Sequence, residues 1–311
     1  MKFSFLLKSA LYLSIILGVQ GIQAQKSAKT TSFMIPGEII GFSQPESLSQ
    51  KGNNLYVANV KNGKGYISKV NLLTNTIEEV NFLPTGTDIL KSQGPLGIKV
   101  HENTLYAVAY DRVVGFDLDS RKMIFEITIP GSTRLNDLTF ANGSLLVSGT
   151  DKGMIYEIDI AGKTFKPFVT DPTDAAMLNG VSGLTWNGAT GTVYATANKN
   201  NASPSNLLAI DWKSRKLNLI YQMNCTDLCF FDAIQCDDKM IYFTNWNHNV
   251  HAIPFPIKPI SENTITNLQL KGLTKVSAYD GPPAFLISED KSCYIFTLFE
   301  SGKVIIEKIK S

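Results

Sequence analysis

A short apolar strand recurs six times along this chain, and the recurrence restricts the possible folds more than any other feature. The copies read NLYVAN, TLYAVA, SLLVSG, TVYATA, MIYFTN and SCYIFT. The steps between their central residues are 50, 40, 48, 48 and 52. The central residues are Tyr56, Tyr106, Leu146, Tyr194, Tyr242 and Tyr294. A period of this length, with about four short strands in each repeat, is typical of the blades of a β-propeller.

The segments around each copy support the same interpretation. Every copy is preceded and followed by another short strand, and the separating turns are rich in Gly, Asn, Asp and Lys. Fourth strands are predicted in TIEEVNF, MIFEITI, TFKPFVT and LNLIYQM, whereas helical periodicity is nearly absent. After the sixth copy the chain stops one strand short, and the N-terminal segment TTSFMIPG can supply the missing strand. We therefore predict an all-β, six-bladed β-propeller with four-stranded blades, closed by an N-terminal strand.

The first 24 residues have the features of a secretory signal peptide. Lys2 and Lys8 are followed by the apolar run SALYLSIILGV, and Ala24 offers a small residue for cleavage. The run is short for a bilayer span, which needs about 20 apolar residues. We expect cleavage that leaves 25–311 as one propeller domain, secreted or periplasmic and without membrane contact; the alternative is an uncleaved N-terminal anchor.

The charge balance bears on possible partners. Lys and Arg number 29 and Asp and Glu 27, and loss of Lys2 and Lys8 leaves 27 of each. No basic run is present to neutralise phosphates, so nucleic-acid binding is excluded as an expectation. We expect a monomer that acts on a small-molecule substrate or ligand.

Four cysteines in an exported chain raise the question of disulfides. Cys225 and Cys229 lie in one loop, NCTDLCFF, and are the most plausible pair. Cys236 and Cys293 each lie in an apolar strand, where small buried hydrophobic residues are ordinary. The absence of C-x-x-C spacing argues against a cysteine metal site.

Oxygen-bearing side chains recur at one position of the repeat. The position lies ten residues before the central residue of each copy, or twelve in the fourth copy, whose turn is longer. It is occupied by Glu46, Leu96, Asn136, Ser182, Asp232 and Ala284. The first strand of each blade lines the central channel of a propeller, so equivalent positions form a ring. This explains why RLNDLTF opens a strand with Asn136 and Asp137, which β-propensity disfavours.

The ring predicts a metal site. Two buried carboxylates that converge on one point are costly unless a positive charge compensates them. A hard divalent cation prefers carboxylate, amide and water oxygens, so we expect one cation, Ca²⁺ first and Mg²⁺, Mn²⁺ or Zn²⁺ as alternatives. Its ligands would be Glu46, Asn136 and Asp232, with Ser182. The alternative is that these are turn-favouring residues, solvated in a wet channel.

Two segments resemble a known family. RLNDLTFANGSLLVSGT and FDAIQCDDKMIYFTNW are similar to segments of the regucalcin/gluconolactonase/luciferin-regenerating-enzyme-like six-bladed propellers, and the resemblance extends over roughly residues 36–310. It implies that Glu46, Asn136 and Asp232 hold one divalent cation. In blade four the family usually has Asn in a Ser-Asn-Gly-Leu phrase, whereas this chain has Ser182; Asn179 could reach the site instead.

The resemblance also implies a reaction, the hydrolysis of a lactone or related ester. A cation would polarise the carbonyl group and lower the pKa of a bound water. Asp232 is the candidate general base and Asn136 positions substrate or metal, so these two are the catalytic candidates. Arg134 and Asp137 would orient substrate, with a surface ion pair or a turn hydrogen bond as the alternative.

A final candidate segment is TNWNHN, after the fifth copy. Asn245 and Trp246 are suited to binding a ring-shaped ligand at a channel mouth, although a packing tryptophan is the alternative. The chain has no G-x-S-x-G elbow and no H-E-x-x-H. The leading hypothesis is an exported, metal-dependent lactonase-type hydrolase. A non-catalytic propeller that binds a small ligand or protein is the alternative, and a lyase is a third.

Overall fold

The chain forms six four-stranded antiparallel sheets. The computed structural model describes residues 34–60, 65–85, 90, 94–198, 204–224, 230–258, 264–273 and 280–310. The innermost strands of neighbouring sheets contact one another in turn, and the sixth contacts the first, which closes a ring. The predicted six-bladed β-propeller is therefore confirmed. The predicted signal peptide, residues 1–24, and the candidate pair Cys225 and Cys229 lie outside the described residues.

Each blade is a sheet whose strands follow one another from the axis outwards, except that blade six takes its outer strand from the N-terminal side. Blades one to three are formed by β2 (Pro45–Lys51), β3 (Asn54–Asn59), β4 (Tyr66–Asn71), β5 (Thr76–Leu83), β6 (Ile98–His101), β7 (Thr104–Ala109), β8 (Arg112–Asp117), β9 (Met123–Thr128), β10 (Leu135–Ala141), β11 (Ser144–Gly149), β12 (Met154–Asp159) and β13 (Thr164–Pro167). Blades four to six are formed by β14 (Val181–Asn187), β15 (Thr192–Asn198), β16 (Ser205–Asp211), β17 (Leu217–Met223), β18 (Phe231–Cys236), β19 (Met240–Asn245), β20 (Asn249–Pro254), β21 (Thr266–Asn267), β22 (Phe285–Ile287), β23 (Cys293–Leu298), β24 (Lys303–Lys308) and β1 (Gly37–Ile40).

The ring is closed by β1, which pairs antiparallel with β24. Gly37 lies opposite Ile306, and Ile40 lies opposite Lys303. The closing strand therefore lies later in the chain than the predicted segment TTSFMIPG, because β1 begins at Gly37, the last residue of that segment. Pairing β1 with β24 covers an edge that would otherwise expose unpaired backbone groups.

Side-chain hydrogen bonds form the turns between the third and fourth strands of four blades. Asn71, Asp117, Asp159 and Asp211 end the third strand, and each accepts a backbone N–H two or three residues later. These are Asx turns, which explains why the sequence places Asn or Asp at this point of the repeat. The pKa values of Asp117 and Asp211 are lowered, chiefly by the hydrogen bonds from Ser120 and Ser214 respectively.

The hydrophobic core is divided among the interfaces between blades. Within the described residues, a cluster of buried side chains fills each of the six interfaces between neighbouring sheets. The second strands are buried on both faces; in β3, for example, all residues after Asn54 are buried. This explains the continuous apolar runs, because a strand between two other blades has no solvent-facing side. Cys293 is buried and Cys236 half-buried, and both are free thiols.

Helical structure is sparse. The helix α1 (Pro172–Ala176) follows β13, and Asp171 caps it by accepting the N–H groups of Thr173 and Asp174. Residues 271–273 form one turn of 3₁₀ helix. Among the described residues, no helix is both long and apolar enough to cross a bilayer.

We predict that blade five loses stability in acid through His251, which is 3% exposed. Its Nε2 accepts the Asn245 amide at 3.0 Å, and its Nδ1 donates to the Asn267 amide oxygen at 2.6 Å. Burial lowers the pKa of His251 below its ordinary value of 6.5. The unfolded chain therefore takes up the proton first, so the free energy of unfolding decreases as the pH falls below that value.

Urea denaturation over a pH series measures this effect. His251→Leu is expected to cost about 1–3 kcal/mol at neutral pH, because the Asn245 NH₂ group and the Asn267 amide oxygen lose their hydrogen bonds to the imidazole. The variant should also lack the decrease in unfolding free energy that wild type shows as the pH falls below the ordinary histidine pKa. The matched control is His101→Leu, since His101 is exposed. An equal acid response in wild type and His251→Leu would contradict the assignment.

Candidate functional site

A backbone irregularity occurs at the start of the innermost strand in four blades. The ladder register shifts between Pro45 and Ser47, Leu135 and Leu138, Val181 and Leu184, and Phe231 and Ile234. Such bulges bend a strand locally and re-aim the side chains within them. The residues within the shifts include Glu46, Asn136, Ser182 and Asp232. The side chains predicted from the sequence column are therefore those that the bulges redirect.

Hydroxyl groups on the second strands support the bulged backbone. The N–H groups of Asp137, Gly183, Ala233 and Ala284 donate to Ser148, Thr196, Thr244 and Thr297, respectively. In blade six this pattern makes Ala284 equivalent to Ala233. The ring position of blade six is therefore Pro283, one residue before the Ala284 expected from the sequence. Both residues are without an oxygen-bearing side chain, so the set of candidate ligands is unchanged.

The four predicted metal ligands line one cavity. It has a volume of about 300 Å³ and includes Glu46, Asn136, Ser182 and Asp232 in its wall. A narrower axial cavity of about 40 Å³ shares Glu46, Asn136 and Asp232 with it. The structure therefore brings together, at the hub of the ring, side chains that are up to 186 residues apart in the sequence.

Asp232 is held by hydrogen bonds to both of its carboxylate oxygens. Ser182 Oγ donates to Oδ1 at 2.8 Å, and Trp246 Nε1 donates to Oδ2 at 2.8 Å. Burial raises the pKa of Asp232, while these two hydrogen bonds and the positive charge of Arg134 act in the opposite direction. The carboxylate is thus fixed in orientation, with the hydroxyl of blade four and the indole of blade five as its supports.

Glu46 is the least compensated group of the site. Its Oε2 is buried and has no hydrogen-bond partner among the described residues. Burial, and secondarily the negative charge of Asp232, raise the pKa of Glu46 to about 8, although Arg134 opposes the change. A buried acceptor without a partner carries a desolvation cost, and such a group in a native structure is a candidate ligand for an ion or a polar molecule.

Arg134 and Asp137 lie on opposite sides of Asn136 and face different spaces. Arg134 is exposed and lines the cavity, and no ion pair joins it to a carboxylate in the described part of the chain. Asp137 lines the axial cavity instead, where its Oδ2 accepts the N–H of Leu184 at 2.8 Å. Burial raises the pKa of Asp137 to about 6, while that hydrogen bond and the charge of Lys99 oppose the shift. Asp137 therefore supports blade four from blade three.

Besides Asp137, two more predicted substrate-binding residues do not line the cavity of about 300 Å³. Asn179 is exposed in the turn before β14, and its backbone packs against Gly153. Asn245 is 2% exposed, and its amide donates to His251 while its oxygen accepts the N–H of Asn249. Both positions favour a structural contribution. Trp246, the next residue, does line the cavity.

Five further lining residues were not predicted from the sequence: Thr150, Gly180, Asn198, Phe230 and Phe231. Thr150 Oγ1 donates to the carbonyl oxygen of Val181 at 2.7 Å. The Asn198 amide accepts the N–H of Phe231 and donates to its carbonyl oxygen. Their positions in the repeat could have identified them. Thr150 follows the second strand of blade three, Asn198 ends the second strand of blade four, and Phe230 immediately precedes the strand that contains Asp232.

We predict that Gly183→Ala displaces Asp232. A Cβ at Gly183 would overlap the carbonyl oxygen of Asp232, so the backbone would have to move. We expect a loss of about 1–3 kcal/mol in unfolding free energy, as for other overpacked sites. The control is Gly188→Ala in the same blade, where the nearest atom is the Trp186 side chain at 3.3 Å. Equal denaturation midpoints for the two variants would contradict the close approach.

Within the described residues, no group of three or more His, Cys, Asp or Glu side chains is placed to hold a metal ion. Any cation in this cavity would therefore bind two carboxylates, Glu46 and Asp232, together with neutral oxygens such as the Asn136 amide. This donor set is poor for a transition metal and suits a hard cation, which binds carboxylate, amide and water oxygens.

Comparison with solved structures identifies similar folds. Hydrazine synthase of Kuenenia stuttgartiensis aligns with a TM-score of 0.61 and 15% identity, over 87% of this chain and 78% of that chain. Virginiamycin B lyase from Staphylococcus aureus aligns with a TM-score of 0.60 and 16% identity, over 89% of this chain and 100% of that chain. A chain of the mitotic checkpoint complex aligns with a TM-score of 0.57 and 10% identity, over 88% and 74% of the two chains.

At these identities the similarity extends to the propeller fold alone, because propellers host many unrelated functions. No family model matches the sequence. No curated protein matches it either. The similarity to the regucalcin and gluconolactonase group therefore stays a prediction.

Proposed function

We propose that the cavity of about 300 Å³ that Glu46, Asn136, Ser182 and Asp232 line is the active site of an exported, cation-dependent hydrolase that opens a lactone or a related ester. The observation that carries the proposal is the buried Oε2 of Glu46, which has no hydrogen-bond partner in the described part of the chain and shares the cavity with Asp232 and Asn136. Sites with a buried, perturbed carboxylate pair in a cavity are frequent locations of catalysis.

The residues present fit a hard divalent cation. Glu46 offers a free carboxylate oxygen, Asp232 a carboxylate fixed by Ser182 and Trp246, and Asn136 an amide in the wall of the same cavity. Oxygen donors of these types are preferred by Ca²⁺ and Mg²⁺, with water completing the coordination. A bound cation would supply Lewis-acid polarisation of the carbonyl group and a lower pKa for the attacking water. It would also relieve the burial cost of Glu46.

The protein side chains supply the remaining chemistry. Asp232 accepts the proton of the attacking water, and the hydrogen bonds from Ser182 and Trp246 keep its carboxylate aimed into the cavity. Asn136 and Arg134 orient the substrate carbonyl group from blade three. The cavity volume of about 300 Å³ is at the lower end of ligand-binding pockets, which fits a small substrate.

Two measurements test the proposal. Thermal unfolding is recorded in a chelator and then with Ca²⁺, Mg²⁺, Mn²⁺ or Zn²⁺, and at least one cation should raise the Tm by about 5 °C at saturation. Hydrolysis of a panel of lactones and aryl esters is then followed by proton release with and without that cation. If none of the cations changes the Tm, the proposed metal site is wrong. If no lactone or ester of the panel is hydrolysed, the proposed hydrolase activity is wrong.

One observation favours the alternative, a propeller that binds a ligand without catalysis. Ser182 replaces the amide expected in blade four, and its hydroxyl hydrogen is donated to Asp232. A cation would then have few protein ligands and could serve structure alone. Ligand binding that is unaffected by Asp232→Asn, together with no turnover, would support this alternative.

The N-terminal sequence supports export to a secreted or periplasmic location with cleavage near Ala24. The mass of the protein recovered from a secreting host tests this, since cleavage after Ala24 predicts a chain that begins at Gln25. We also propose a monomer, which sedimentation or light scattering would test.

A further inference from the structure

The polar groups of the cavity wall are mostly committed to bonds within the protein. Thr150 and Ser182 donate their hydroxyl hydrogens to Val181 and Asp232. Asn198 uses both its amide nitrogen and its oxygen on the backbone of Phe231. The indole N–H of Trp246 donates to Asp232. A ligand that carries many hydroxyl groups would therefore meet few free partners, and each unmatched polar group costs binding free energy.

Blade five contributes aromatic side chains to the wall, beside Asp232. Phe230 and Trp246 both line the cavity, and both are half-buried. Their ring centroids are 6.0 Å apart at an interplanar angle of 45°, and Phe299 supports Trp246 at 5.3 Å. Two adjoining, supported rings on one side of a small cavity form a surface for a flat apolar group, because ring–ring contacts add to the effect of apolar burial.

Blade three contributes a positively charged side chain to the cavity. Arg134 belongs to blade three, is exposed, and forms no ion pair with the described carboxylates. An exposed guanidinium in the wall of a cavity is suited to a carboxylate, which it can bind through two parallel hydrogen bonds.

We infer that the substrate class of this cavity is a flat aromatic lactone or ester that yields a carboxylate, and not a polyhydroxylated sugar lactone. The inference rests on the proposed function for the reaction, but the ligand class follows from the wall. The aromatic ring packs on Phe230 and Trp246, while the carbonyl group, or the carboxylate formed from it, faces Arg134 and Asn136. Hydrolysis adds one water to the acyl–oxygen bond, and the products are the carboxylate, a phenol hydroxyl and one released proton.

Binding of the ring-opened product tests the class without turnover. The probe is 3-(2-hydroxyphenyl)propionate, the product of dihydrocoumarin, and the comparison ligands are gluconate and the uncharged 3-phenylpropan-1-ol. By calorimetry we expect the aromatic acid to bind at least about 10-fold more tightly than either, since each loses one of the two recognition elements. Gluconate binding that equals or exceeds that of the aromatic acid would overturn the inference, and so would no binding of the aromatic acid.

Two variants test the two recognition elements separately, the aromatic wall and the Arg134 guanidinium. Phe230→Leu should weaken binding of the aromatic acid by about 5- to 10-fold and leave the affinity for gluconate unchanged. Arg134→Gln should weaken binding of the aromatic acid by about 10-fold and leave the affinity for the alcohol unchanged. The matched control is Phe299→Leu, because Phe299 contacts Trp246 without lining the cavity. Equal loss in Phe230→Leu and Phe299→Leu would contradict stacking at Phe230.

Kinetics separate this inference from the proposed function. With the activating cation present, kcat/KM for dihydrocoumarin should exceed that for glucono-1,5-lactone, and Phe230→Leu should raise KM for dihydrocoumarin with little change in kcat. Turnover of gluconolactone but not dihydrocoumarin would overturn the inference and leave the hydrolase standing. The expected binding pattern without turnover of any lactone or ester would support the ligand class and overturn the hydrolase.

Discussion

Replacing Asp232 by Asn is expected to lower kcat for lactone or ester hydrolysis by about 10²–10⁴-fold, the range typical of a lost general base. The substitution keeps the size of the side chain, and the amide oxygen can still accept the indole N–H of Trp246. The shape of the cavity should therefore be retained while the proton acceptor is removed. Initial rates at saturating substrate, with the activating cation present, measure the effect.

The control substitution lies in the same blade. Asp238→Asn removes an aspartate that is 66% exposed and pairs with Lys291 at the surface, and its kcat should equal that of wild type. Far-ultraviolet circular dichroism and the Tm of both variants establish that they are folded. A kcat for Asp232→Asn within about threefold of wild type would assign proton transfer elsewhere, since a general base contributes far more.

Replacing Glu46 by Gln is expected to stabilise the cation-free protein at alkaline pH and to abolish its stabilisation by cations. The folded pKa of Glu46 is about 8, against an ordinary value of 4.5. Between these values the unfolded chain loses the proton while the folded chain keeps it, so the free energy of unfolding falls as the pH rises. A shift of this size corresponds to a cost on the order of 3–5 kcal/mol, fully expressed only above the folded pKa.

Thermal unfolding in a chelator, at about pH 4 and about pH 9, tests the direction of the effect. The Tm of Glu46→Gln should approach that of wild type in acid and exceed it in alkali by roughly 5 °C or more. Adding the stabilising cation should reverse the order, because only wild type has the free carboxylate. Glu126→Gln serves as the control, since that glutamate is 37% exposed and pairs with Arg112. A wild-type protein that is the more stable in alkali without cations would contradict the assignment.

The repeat can be recognised in the sequence because it depends on interactions between residues that are close in the chain. Second strands packed between blades require continuous apolar runs, and the turns require Asn or Asp at the end of the third strand, as at Asp117 and Asp211. Both signals depend on residues close in the chain. The column that contained Glu46, Asn136 and Asp232 followed from the same spacing, and the structure places these three side chains in one cavity.

The details that the sequence could not supply depend on contacts between blades. The register of β1 is set by its partner β24, so the closing strand could not be located from TTSFMIPG alone. The offset to Pro283 in blade six follows from the hydrogen bond between Ala284 and Thr297. The hydroxyl of Ser182 turns toward Asp232, and Asn245 turns toward His251, because the partners lie on other strands. A linear pattern contains no information on such rotamers.

The pairing of β1 with β24 has a consequence for biosynthesis. Residue 37 and residue 306 are neighbours in one sheet, although almost the whole domain separates them along the polypeptide. A nascent chain that emerges from a ribosome or a translocon must therefore hold its first strand unpaired until the last one arrives. Joining segments so far apart delays completion of the toroid, since distant contacts form slowly. Interrupted synthesis would leave two open sheet edges and a product prone to aggregation.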